Sequence, residues 1–463
     1  MNGSVVEDSP PASGRAVAFL RNLPKHAARL VLVPRAARLI SALERPVVPS
    51  DRTARRLALA AFVVYFFVGW KIEATGTFKA NDVFFNADCD RVFAAVFHPD
   101  QKSPSYAVGS GHPLVGLIFG PVVALSDFVF RGAEDLPVRL LCHAAAACAV
   151  ALGYGVLRVF GAPRWLATWG AAVYAISCSQ LVLGSIIEIY AFVALAVAAS
   201  LLVAARSDGL LRNALLGNAT FGLNVALAPH ALLMPPVLWL GRMPLRRWLG
   251  RTLLFVVGTA CLAVVFAKLQ ELVYPGTGFF FKKDALADYG PWWSVPNTRA
   301  AALHRAARVV PHFFAFDVVA PVPLYSEDSK RMTSFMLEAK DLVARYDGFG
   351  GVVAGVWIAS LLVATFYNVR GLFRGDRAVR ARVVLLGGWL LGTFGLFMVF
   401  GDDVLLYSPM WTLHFIVWIV LGLSTFASAN ADRERWARFA AFAFVLALAA
   451  NNAVFVSRML AKY

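Results

Sequence analysis

Between residues 81 and 93 the chain reads Asn-Asp-Val-Phe-Phe-Asn-Ala-Asp-Cys-Asp-Arg-Val-Phe. Its carboxylates, Asp82, Asp88 and Asp90, stand among aromatic and aliphatic residues. A carboxylate partly withdrawn from water has its pKa raised towards neutrality, which suits it to act as a general base. Asp88 is the stronger candidate. Asp90 adjoins Arg91, whose charge lowers a carboxyl pKa. Two carboxylates at this spacing could instead share a divalent cation, Mg or Mn. The bland alternative is a solvated acidic loop with a local Asp–Arg pair.

Other residues of the same chemical character recur along the chain. Gly109-Ser110-Gly111-His112-Pro113-Leu114 opens an apolar segment. Pro113 suits a first helical position, so His112 stands at a helix start where it could touch an anionic substrate or simply cap the helix. Glu188 and Tyr190 precede a charge-free run ending at Arg206. An ionisable residue beside a membrane span is costly, which makes a functional role the default. His230 follows Pro229 at an expected helix break and could line the same cavity or be a buried structural histidine. Further on, Phe279-Phe280-Phe281-Lys282-Lys283 and Pro291-Trp292-Trp293 precede an expected amphipathic helix over 298–316, kinked or shortened by Pro311. Arg305, Arg308 and His312 fall on one of its faces, and Leu303, Val310 and Phe314 on another. Basic side chains beside aromatics suit a lipid phosphate, while the aromatics alone could form an interfacial belt or stack on a sugar. Gly401-Asp402-Asp403 leads to Tyr407, Trp411 and His414, which could complete the cavity.

The elements that must position these residues are membrane helices. Of 463 residues 59% are hydrophobic and 16% charged, with mean hydropathy +0.64. Soluble domains average about 45–50% apolar and about 25% charged. Apolar runs at 57–70, 181–205, 253–267, 383–400 and 439–456 approach or reach bilayer length once their flanks are added. The net charge of +16 sits in short loops between them, which argues against nucleic acid and marks the cytoplasmic side. The five cysteines show neither a CxxC nor a Cys/His ligand spacing.

The basic clusters predict an orientation. Up to Arg56 there are ten Lys/Arg against four Asp/Glu, in three short amphipathic pieces after a Ser/Pro/Gly-rich start. This reads as a cytoplasmic segment (1–55) lying on an anionic leaflet, with an organellar transit peptide as the alternative. Clusters at 242–251, 370–382 and 433–438 are also expected inside, as are Arg158 with Arg164 and Arg206 with Arg212. That gives about 11 transmembrane helices: a first module over 56–275 with an outer loop at 74–112, a second outer loop at 276–348, and further helices over 349–463. Residues 213–241 are then two short helices broken near Pro229, and 113–130 lie at the outer surface or re-enter; a competing count lets 113–130 cross and makes 213–241 a single helix, which places both basic pairs outside. The expected fold class is thus an all-α integral membrane protein with juxtamembrane helices on the outer face.

With these residues in place, the chain resembles the GT-C superfamily of multi-span glycosyltransferases, which use polyprenyl-phosphate sugars as donors. The resemblance rests on the first-loop Asp88 (or Asp90), His112-Pro113-Leu114, Glu188-Ile189-Tyr190, the broken helices at 213–241 and the large second loop. In layout it is similar to protein O-mannosyltransferases and lipid A aminoarabinose transferases. It departs from the former in having Asp88-Cys89-Asp90 where they carry an Asp-Glu pair, and in having no large extra soluble domain. The resemblance implies inverting transfer of a hexose or pentose to a glycan, lipid or protein acceptor on the outer face. A first-loop Asp would serve as base, and Lys282, Lys283, Arg305 or Arg308 would neutralise the departing phosphate. It leaves metal dependence open. The Ala/Arg/Val-rich usage suits a high-GC bacterium, hence an inner membrane with the site facing the periplasm. A polysaccharide polymerase or ligase is the near alternative. A lipid or glycolipid flippase is the distant one, disfavoured by the charge-poor mid-span segments and the lack of an internal repeat.

Overall fold

The structure is a computed structural model that describes residues 51–77, 83–85, 87, 89–92, 112–120, 129, 135–274, 295–327, 333–336, 345–400, 404–428 and 430–462. The first helix, α1 (Arg52–Ala74), starts where Asp51 accepts a hydrogen bond from the Thr53 amide at 2.8 Å. Such a cap satisfies one of the orphan donors of the first turn. It is followed by α2 (Asp135–Val159), α3 (Arg164–Ile176), α4 (Cys178–Leu183), α5 (Tyr190–Arg206), α6 (Leu210–Leu223), α7 (Ala228–Leu240) and α8 (Leu245–Val273). Then come α9 (Arg299–Pro311), a wider π turn at His312–Phe316, and an antiparallel hairpin of β1 (Leu324–Glu327) and β2 (Thr333–Met336) in which Leu324 pairs with Met336. The chain continues with α10 (Gly348–Arg374), α11 (Arg377–Phe397), α12 (Thr412–Ala427) and α13 (Ala431–Leu460).

The protein is built for lipid. Six described helices, α1, α2, α8, α10, α11 and α13, are long and apolar enough to cross a membrane. A bent pair, Val404–Met410 with α12 at 59°, makes a seventh if it is one span. Outer helices turn large apolar side chains outward, among them Phe67 and Trp70 of α1, Leu253 and Leu272 of α8, and Phe439 and Phe442 of α13. In water, exposed apolar surface of this extent marks an interaction face. At the centre lie α5 and α12, short and almost wholly buried. Gly422 of α12 lets that helix close on α10, where a Cβ would come within 2.5 Å of the Ala364 carbonyl oxygen.

Contacts across the bundle gather the basic turns on one face. Arg164 reaches Asp51 at 3.2 Å, and Arg382 donates to the Phe160 carbonyl at 2.8 Å. Arg242 donates to the Ala204 carbonyl at 3.1 Å, Arg251 pairs with Asp208 at 3.5 Å, and Arg438 lies over Trp165. Residues 213–241 form two helices, α6 and α7. The break lies at 224–227, ahead of the expected Pro229, because Asn224 leaves helical backbone and its side chain accepts from the Ala226 amide at 2.9 Å. Pro229 stands in the first turn of α7, where its missing N–H costs nothing. With 14 and 13 residues, these two helices reach about 20 Å at about 1.5 Å per residue, short of the roughly 30 Å hydrocarbon layer. Among the described residues the long helices number six or seven; the expectation of about 11 also counts the shorter α3, α5, α6 and α7, and the long helices alone do not reach it.

Candidate functional site

Glu188, Tyr190, Arg305, Tyr407, His230 and His414 gather on the face opposite the basic turns. At that end α3 stops at Ser177, whose hydroxyl donates to the Tyr174 carbonyl at 2.8 Å, and Tyr65 of α1 donates to the Ala175 carbonyl at 2.9 Å. The short α4 ends at Gly184, whose carbonyl is bonded by His143 Nδ1 at 2.8 Å. A side chain at Gly69 would strike the Ser185 carbonyl oxygen at 2.6 Å, so glycine there lets α1 press on this turn. The turn delivers Glu188 and Tyr190 to the start of α5. Glu188 is 2% exposed, and its Oε1 accepts from the Ile189 amide at 2.8 Å. The Tyr190 ring meets Tyr407 edge-on at 5.6 Å, and Tyr407 lies 5.3 Å from Phe397.

Phe397 ends α11, and its carbonyl is bonded by Arg305. Nε and Nη2 donate to Phe397 O at 3.2 and 2.9 Å, and Nη2 also reaches Phe400 O at 3.0 Å. A guanidinium is well matched to the orphan carbonyls of a helix end. Arg305 and His312 are buried, with His312 Nδ1 2.6 Å from the Arg308 carbonyl, while Leu303 and Val310 face outward. The α9 amphipathicity is thus inverted relative to a water-facing helix, and the basic stripe packs inward. Arg308 is half-buried.

Two imidazoles complete the cluster. His230 of α7 and His414 of α12 meet at 5.2 Å, nearly perpendicular, and Trp389 of α11 lies 4.8 and 5.7 Å from them. Both rings are fully buried, and among the described residues neither has a ring nitrogen in a well-formed hydrogen bond. His112 stands apart, with its Nδ1 bonded to the Leu223 carbonyl at the end of α6. Desolvation lowers its pKa, and the Leu223 bond opposes this in part. A neutral ring bonded to a carbonyl through Nδ1 carries its proton there, leaving Nε2 as an acceptor.

One carboxylate escapes sequence reasoning. Asp317, after the π turn, is fully buried, and burial pushes its pKa well above the usual carboxylate range. Thr412 Oγ1 meets its Oδ2 at 3.2 Å and Ser179 Oγ at 3.3 Å, while Oδ1 is in no well-formed hydrogen bond among the described residues. Alongside, Asn452 of α13 bonds the Ile176 and Val318 carbonyls at 2.7 and 2.8 Å, and Asn451 bonds that of Ala320 at 2.8 Å. These partners come from distant parts of the chain, so no local motif announces them.

The Asp88 residue and the side chains of Asp90 and Arg91 lie outside the described residues, as do Lys282, Lys283, Asp402 and Asp403. Around Asp88, the neighbours Phe84, Phe85, Ala87 and Cys89 are buried, and Phe85 stacks on Phe455 of α13 at 6.1 Å. Among the described residues no group of three or more His, Cys, Asp or Glu could hold a metal ion. The arrangement offers a buried carboxylate, two tyrosines, two imidazoles and an arginine on one face, a set that can bond hydroxyls and counter an anion.

No protein-family model matches the chain, and no curated protein matches it. Among solved structures it is similar to the apo form of the Archaeoglobus fulgidus oligosaccharyltransferase, with 14% sequence identity and a TM-score of 0.47. The match covers 87% of this chain and 56% of that one, so the chain spans little more than half that protein's length. At this similarity neither activity nor substrate carries over.

Proposed function

We propose that the chain is a membrane glycosyltransferase of the GT-C type, which moves a sugar from a polyprenyl-phosphate donor to a hydroxyl-bearing glycan, lipid or protein acceptor. The observation that carries this reading is the gathering of Glu188, Tyr190, Tyr407, His230, His414 and Arg305 on the face away from the basic turns. Since Lys and Arg mark the cytoplasmic side, that face is the exterior one, periplasmic in a bacterium. A lipid-borne donor meets a water-borne acceptor only at such an edge.

In this reaction the acceptor oxygen attacks the sugar C1 from the side opposite the phosphate. The new C1–O bond forms as the bond to phosphate breaks, the configuration inverts, and polyprenyl phosphate leaves with the electron pair. Asp88 takes the acceptor's proton, with Asp90 as the second choice. Lys282, Lys283 and Arg308 counter the charge developing on the phosphate. Arg305 holds the end of α11 beneath Tyr407. Glu188, Tyr190, Tyr407, His112, His230 and His414 bond the sugar or acceptor. A divalent cation, if the enzyme takes one, would sit on Asp88 and Asp90.

The test is a transfer assay on purified protein in detergent, with a panel of polyprenyl-phosphate sugars and release of polyprenyl phosphate as readout. One donor is consumed by the wild type, and Asp88→Asn loses about 10²–10⁴-fold in rate while staying folded, the span of a general base. If no donor turns over, the class is wrong. If Asp88→Asn keeps full activity, the base is misplaced.

A further inference from the structure

On the opposite, basic face a cavity of about 140 Å³ opens between α10, α11, α12 and the turn from α2 to α3. Phe160, Tyr367, Asn368, Arg382, Ser424 and Thr425 are among its lining residues. Arg382 gives one nitrogen to the Phe160 carbonyl at 2.8 Å and lies over that ring, and its side chain makes no other protein hydrogen bond among the described residues. The nearby carboxylate, Asp376, is occupied in capping α11 through the Val379 amide at 2.8 Å. Arg242 stands near enough to add to the positive potential. The hydroxyls of Tyr367 and Ser424 make no protein hydrogen bond among the described residues, so both are available as donors. Gly371 and Val379, which also line the cavity, adjoin the exposed Arg370 and Arg380.

At the rim the Phe366 ring meets that of Tyr367 at 5.3 Å, and Phe366, Val369 and Phe373 are exposed at 64%, 43% and 74% on the side of α10 turned away from the cavity. Their spacing of three and four residues makes a continuous apolar strip. A guanidinium with free nitrogens, two hydroxyl donors and no paired carboxylate is a receptor for phosphate oxygens. An apolar strip reached over the Phe366 rim is what acyl chains need. Basic recesses between membrane helices on the cytoplasmic side take lipid headgroups.

We propose that this cavity binds a phosphate-bearing anion, and that its source is the phosphodiester headgroup of an anionic phospholipid whose acyl chains lie along α10. The site is separate from the transferase site and does not depend on that reading. Full-length protein in uncharged detergent would be titrated with phosphatidylglycerol, phosphatidylcholine or inorganic phosphate, and bound molecules counted by native mass spectrometry. Wild type retains phosphatidylglycerol about tenfold better than phosphatidylcholine, the scale of one or two basic contacts. Arg382→Gln loses that preference and Arg382→Lys keeps part of it. Because Arg382 also ties α11 to Phe160, Ser424→Leu is the second variant: it fills the cavity and keeps the charge, and it too loses the preference. Equal retention of both lipids by wild type, or an unchanged preference in both Arg382→Gln and Ser424→Leu, overturns the proposal. Inorganic phosphate bound without any preference between the lipids overturns the lipid as source.

Discussion

Thr412 Oγ1 lies 3.2 Å from Asp317 Oδ2 and 2.9 Å from the Ser408 carbonyl. A hydroxyl has one proton to give. Both contacts are satisfied together only when Asp317 is itself protonated and donates to Thr412. Its complete burial favours that neutral form.

The pH dependence follows. In the unfolded chain Asp317 titrates near 3.8, the ordinary carboxyl value, whereas in the folded protein burial holds it well above that. Between those two values the folded state holds the extra proton, so stability falls as pH rises through the window. Asp317→Asn, neutral and of the same shape, removes that slope. Melting midpoints measured from mildly acidic to alkaline pH should show the variant gaining on wild type as pH rises. A constant difference would mean that Asp317 is ionised in the folded protein.

Arg305→Met removes the charged hydrogen bonds to the Phe397 and Phe400 carbonyls, a loss of about 1–3 kcal/mol. Arg305→Lys keeps the charge but not the forked geometry, and should recover only part. Melting of the two variants beside wild type checks this. If both melt like wild type, the end of α11 does not rely on Arg305.

His230→Phe tests the paired imidazoles. Among the described residues no ring nitrogen of His230 is bonded, so the variant should melt at or above the wild-type midpoint. Sugar transfer should fall about two- to tenfold, the worth of one neutral hydrogen bond to a substrate. Loss of stability without loss of transfer would mark His230 as a packing residue.

Gly422→Leu forces α12 away from Ala364 on α10. Overpacking of this kind costs about 1–3 kcal/mol and shows as a lowered melting midpoint. A neutral result would mean that α10 and α12 can part without penalty.

Much of the helical frame is legible in the sequence, because long apolar runs and clustered arginines each have one physical explanation in a bilayer. The doubled helix at 213–241 follows from charge alone, although Asn224 rather than Pro229 makes the break. The orientation of α9 is not legible. The i, i+3, i+7 spacing of Arg305, Arg308 and His312 identifies a stripe but not whether water, lipid or protein faces it. Asp317 is not legible either, because nothing local marks it: Ser179, whose amide donates to its backbone carbonyl, and Thr412 lie far away in the chain. Asn451 and Asn452 sit inside an otherwise apolar span, and a polar pair there is the one signal that could have pointed to the network.

The shortness of α6 and α7 bears on the membrane itself. On the proposed crossing of both helices, a pair about 10 Å shorter than the hydrocarbon layer, with Leu233 turned outward, would oblige the surrounding lipid to thin or tilt to meet it. The water boundary then dips towards the buried histidines along this flank. A lipid-borne reactant would have less distance to rise, and a soluble one less distance to sink, before the two could meet.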